Sequence, residues 1–100
     1  MAITAALAST LIAQSCTREQ NVVRNAEQCV RLQVHGTGRL SEVVRKQVAQ
    51  RCNRAIQAWA FTSTRHAYGD AFDPRKPIVA EEYRERKAAI IQILMPLEDD

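Results

Sequence analysis

The stretch LSEVVRKQVAQRCNRAIQAWAF, residues 40–61, decides the fold. Leu40, Val43, Val44, Val48, Cys52, Ala55, Ile56 and Trp59 recur at three- and four-residue spacing, which puts them on one face of a helix. Trp59 reads as a packing anchor near the end of that face. Arg51 falls within the same face. A cation there calls for a carboxylate, a ligand or another chain, unless its stem lies along apolar surface with its head in water.

Upstream, His35-Gly36-Thr37-Gly38 is a strong stop, and Gly36 suits the left-handed position past a helix end. A turn this short makes the flanking helices antiparallel neighbours. The preceding segment, residues 2–34, holds neither Gly nor Pro. Its second half places Val22, Val23, Ala26, Cys29, Val30 and Val34 on one side, against Arg24, Glu27 and Arg31 on the other. One long helix is expected. It becomes two if Thr17 and Gln20 act as a capping box and break it near residues 15–17. Residues 1–15 are apolar and precede a cysteine, as in an export leader or a lipid anchor. They lack a basic start, and Thr4, Ser9, Thr10 and Gln14 interrupt them. The run is also too short to span a membrane. It is read as an alanine-rich helix with Ile3, Leu7 and Leu11 in a narrow stripe, and export is not expected.

Downstream, residues 62–77 read as a loop punctuated by Gly69, Pro74 and Pro77. A last helix, residues 78–95, starts near a first-turn proline and carries Val79, Tyr83, Ile90, Ile91 and Leu94 as its stripe. Lys87 intrudes on that stripe, and Glu82 and Arg86 support each other one turn apart. Residues 96–100 form a short, mobile acidic tail. The fold class is therefore all-α: one domain over residues 1–100, an antiparallel bundle of three long helices, or four if the first breaks.

Composition bounds the rest. The chain has 100 residues, a net charge of +3 and 46% hydrophobic residues. Fifteen of those are alanines, which bury little area. A domain this size buries only about two-thirds of its unfolded surface, so oligomerisation or docking would help it. The excess of arginine suits an acidic or phosphate-bearing partner, or simply a solvated face. Cys16, Cys29 and Cys52 form no CxxC and no Cys/His metal spacing, so neither a metal nor a cofactor is expected. Cys29 and Cys52 sit in apolar stripes and are read as buried, reduced thiols. That implies a reducing compartment: the cytoplasm or an intracellularly assembled particle.

Three sets of residues are candidates for function. Ile12, Leu32 and Ile93 lie off the main stripes and join Arg51 and Lys87 as interface candidates. Arg39, Arg45, Lys46, Arg54, Arg65, His66, Arg75 and Lys76 are candidates for an anion or an acidic partner. Arg39 beside the Gly-containing turn could hold an anion, although the turn lacks the nucleotide-binding pattern. His66 with Asp70 or Asp73 could do acid–base work, or the loop could merely form Asx turns.

The leading reading is a non-catalytic interaction subunit of a larger protein assembly, adaptor or connector in type. Protein partners or self-association are expected and no membrane is. Components of virus particles fit that description by analogy alone. The alternative is a small basic nucleic-acid-binding domain. The third is a small enzyme using His66 and a nearby Asp.

Overall fold

Ser41 starts the middle of the molecule. Its hydroxyl accepts the Val44 N–H at 3.3 Å, and Glu42 follows at the positive helix end. In the computed structural model, backbone is described for residues 2–34 and 38–98, and side chains for 18–34 and 38–98. Four helices follow in order: α1 (Ala2–Gln33), α2 (Glu42–Arg51), α3 (Asn53–Tyr68) and α4 (Pro77–Leu94). A single 3-10 turn, Gly69–Ala71, links α3 to the last loop. The class is all-α, with helices packed as in a bundle. α1 is unbroken, as expected.

The 40–61 helix differs from expectation at both ends and in the middle. It starts at Glu42, departs from helical dihedrals at Cys52 (φ −99°, ψ 14°), and continues as α3 to Tyr68. Hydrogen bonds from Cys52 N–H to Val48 and from Ile56 N–H to Cys52 carry the ladder past the departure. The expected loop 62–77 therefore shrinks to residues 72–76 and the short turn. Thr62 to Tyr68 stay helical because Thr64 faces inward, where its hydroxyl donates to Ala60 O at 2.7 Å. Gly69 ends α3 with φ +57°, a value that side chains rarely adopt.

Helix directions follow from contacts along the chain. Arg45 meets Gln92, and further on Arg86 meets Ser63. Position rises along α2–α3 as it falls along α4, so the two run antiparallel. Cys29–Cys52 and Glu19–His66 show the same for α1 against α3. The tail is not free. Leu40 pairs with Leu97 through Leu40 N–H to Pro96 O at 2.9 Å and Glu98 N–H to Leu40 O at 3.0 Å. That short pairing holds the end of α4 against the start of α2.

The core is one cluster: Val30, Val48, Cys52, Ile56, Ala60, Ile90 and Met95, with half-buried Cys29, Val34, Leu40, Tyr83, Ile91 and Leu94 packed on it. The stripes read from the sequence are confirmed in the second half of α1 and in α4, and the side chains of Ile3, Leu7 and Leu11 lie outside the described residues. In α2 the stripe fails at Val43 and Val44, which are exposed. Trp59 is half-buried and packs against the core cluster, as the anchor expected near the end of its face. Met95 is 1% exposed and belongs to no stripe read from the sequence.

The reduced-thiol expectation is wrong. Cys29 and Cys52 form a disulfide, with Cα atoms 5.8 Å apart. Both do lie in core-facing stripes. The helix phasing therefore stands, and the error was to treat two stripes that pack together as separate environments. With the thiols oxidised, the argument for a reducing compartment loses its support.

This bond closes a loop across 23 positions and ties α1 to the α2–α3 junction. Reduction, or Cys29→Ser with Cys52→Ser, should cost about 3 kcal/mol of stability from the entropy of that loop. Thermal melts with and without reductant check this. An unchanged midpoint would show that the bond is absent or carries no stability.

Candidate functional site

Helix α3 packs against both α4 and α1, whereas α1 and α4 barely touch each other among the described residues. The molecule measures 56 × 36 × 21 Å, and its thinnest dimension matches two helix diameters. Two side helices thus lie on α3 without closing over it. The furrow between them is floored by Trp59 of α3, with Val23 of α1 beside it.

Two depressions share those two residues. The first, about 420 Å³, is largely apolar and is bounded by Val30, Val34, Leu40, Ile93 and Leu94, with Glu27 and Arg31 on its α1 edge. Its rim exposes Ile93 by 67%. The second, about 390 Å³, is bounded by Val22, Thr62, Ala67 and a polar group. In that group Glu19 pairs with His66 Nδ1 at 3.3 Å. Arg86 donates to Glu82 at 2.9 Å and to Ser63 Oγ at 2.6 Å.

The interface candidates are placed as follows. Leu32 is 71% and Ile93 67% exposed, and both sit at the end of the molecule where α1 finishes, α2 begins and α4 finishes. Val43 at 68% exposed adds to that end. The side chain of Ile12 lies outside the described residues, as does the turn at His35, Gly36 and Thr37. Arg51 does not interrupt the core. It is exposed and donates to Gln33 Oε1 at 3.1 Å, because the departure at Cys52 and the end of α1 leave it at the margin of the seam. Lys87 is half-buried.

The basic candidates are not gathered into one patch. Arg39, Lys46, Arg54 and Arg65 are exposed, with no side-chain hydrogen bond or ion pair among the described residues. Arg45 is bound to Gln92, and the exposed Lys76 precedes α4. Arg75 grips Asp73 through two guanidinium bonds at 3.1 and 3.2 Å, and its N–H adds a third at 3.0 Å. The Arg75 guanidinium and then that N–H hold the Asp73 carboxyl below its ordinary value, while burial opposes them weakly.

This is the Asx turn named as the plain alternative in the sequence. His66 meets neither Asp70 nor Asp73 but Glu19 on α1, with both side chains exposed. The acid–base pair read from the loop is therefore not assembled. No group of three His, Cys, Asp or Glu able to hold a metal occurs among the described residues.

The furrow combines residues from helices α1, α3 and α4, with Leu40 from the segment before α2. Sequence reasoning missed it because stripes predict what is buried, and not which pair of helices fails to meet. Glu19 and His66 lie 47 positions apart with no local signal. No family model, no curated protein and no solved structure matches the chain.

The contrast between Ile56 and Trp59 is measurable. Ile56 is 0% exposed, so Ile56→Ala should cost about 2–5 kcal/mol. Trp59→Ala should cost less, about 2 kcal/mol, since that side chain is only partly covered. Denaturant titrations of the two variants check the order, and equal losses would mean the furrow is closed.

Proposed function

We propose that this chain is a non-catalytic assembly subunit that associates with a second copy of itself along α1 and the adjoining furrow. The observation that carries this is the open floor at Trp59, left between two helices that each pack on α3 but barely touch each other among the described residues. Such a floor sheds water when another helix lies across it. Each large apolar side chain fully covered there contributes about 1.5–3 kcal/mol, and Ile93, Leu94 and Val34 line its edges.

The charge order along α1 favours a second copy over an unrelated partner. A two-fold contact requires a surface complementary to itself. Along the exposed edge run Glu19, Arg24, Glu27 and Arg31. Laid antiparallel about residues 25–26, that edge brings Glu19 near Arg31 of the other copy and Arg24 near Glu27, the two pairs lying one residue apart in register.

Light scattering should give twice the 11.3 kDa chain mass at micromolar concentration. Glu27→Arg should weaken the dimer at least tenfold by placing like charges opposite, and Arg24→Glu in the same chain should restore it. A monomer at every concentration would refute the proposal. So would a dimer that ignores both changes.

A further inference from the structure

We infer that the Cys29–Cys52 bond is a modification site for a small anionic thiol, which enters beside Arg51 and Arg54 and leaves Cys29 carrying a mixed disulfide. The bond is within reach of solvent. It lines a depression of about 360 Å³ where α1 crosses the α2–α3 junction, within the roughly 300–1,000 Å³ range of small-molecule sites. Ala55 and Ala58 of α3 line it too and supply little bulk to fill it. The two sulfurs are not equally placed. Cys29 is half-buried, whereas Cys52 is 1% exposed and belongs to the core cluster. A thiolate therefore reaches Cys29, and Cys52 is the leaving sulfur.

Charge selects the thiol. Arg51 and Arg54 are both exposed and both line the depression, and no carboxylate borders it among the described residues. Arg51 donates to the neutral amide of Gln33, and Arg54 has no side-chain hydrogen bond or ion pair among the described residues. Two cations unmatched by a carboxylate draw in an anion and favour the thiolate form of its sulfur. Asn25, exposed on the α1 side, adds an amide donor and acceptor. A neutral or cationic thiol gains nothing from the two arginines.

The exchange balances without an outside oxidant. The incoming thiolate attacks Cys29 Sγ, a new S–S bond forms there, and the Cys29–Cys52 bond breaks. Its electron pair leaves on Cys52 Sγ, which takes up the proton that the incoming thiol lost. The incoming sulfur is oxidised and that of Cys52 is reduced. Attack by Cys52 on Cys29 reverses the step and expels the thiol. While the adduct is in place, α1 loses its covalent tie to the α2–α3 junction. This flank of α1 lies away from Glu27 and Arg31, so a second copy seated on the furrow leaves it open.

The test is exchange on the native chain with mercaptoethanesulfonate, mercaptoethanol and cysteamine, an anion, a neutral molecule and a cation built on the same two-carbon thiol. Cys16 is first capped with N-ethylmaleimide. Reactions are quenched with an excess of the same reagent, and adducts are placed by peptide mass. Each rate is divided by that thiol's rate on oxidised mercaptoethanol. The sulfonate should lead cysteamine by about tenfold, with its adduct on Cys29 and maleimide on Cys52. Arg54→Gln with Arg51→Gln should remove most of that lead, as should about 1 M salt, where screening acts within about 3 Å. Melting curves matched between parent and variants show that the fold is kept, and the salt series needs no variant. Normalised rates that ignore charge overturn the inference. So does a lead that survives both changes, an adduct on Cys52, or a bond that opens only in denaturant.

Discussion

Burial of Ile56, Ala60 and Cys52 in the seam where α3 meets its neighbours is the constraint on which the other features depend. Ile56 and Ala60 are both 0% exposed, so α3 has little freedom to rotate. That fixes the sides on which α1 and α4 can pack. The disulfide then holds α1 at one height along α3, and the Leu40–Leu97 pairing does the same for the end of α4. With both side helices fixed to α3, neither can roll toward the other to close the furrow. The open floor at Trp59 is a consequence of how tightly the rest is tied.

Small size sharpens this arrangement. Much of the apolar count is alanine, which lets helices approach closely but contributes little area. The covalent link makes up part of that shortfall by restricting the unfolded chain. Covering the furrow would supply more. The exposed Leu32, Val43 and Ile93 at one end have the same origin: three helix termini converge there, and among the described residues no element lies over them.

The bundle was legible in the sequence because helical spacing reports burial directly. Ala26, Val30, Val48, Ile56, Val79 and Ile90 all lie inside, as their spacing implied. Turn residues misled where they lay close to a helix that packing extends. Thr62 to Tyr68 looked like loop because Gly69 follows, yet burial of Thr64 carries the helix to that glycine. Met95 escaped notice because it is the last residue of the expected helix and stands outside the stripe read there. The disulfide was hidden for a different reason. Spacing shows that each cysteine faces the core, but only the register between two helices shows that they face each other. The furrow is less legible still, being a gap between elements and not a property of any one.

Trp59 is the chain's single tryptophan and sits on the furrow floor, so its emission reports whether that floor is wet. Fluorescence spectra over a dilution series from high micromolar to nanomolar concentration follow that floor as copies separate. A blue-shifted emission at high concentration should move to the red on dilution, as a second copy leaves the furrow. Emission at one wavelength throughout would contradict self-association there, because the floor would then be equally covered or equally open whether or not another chain was present.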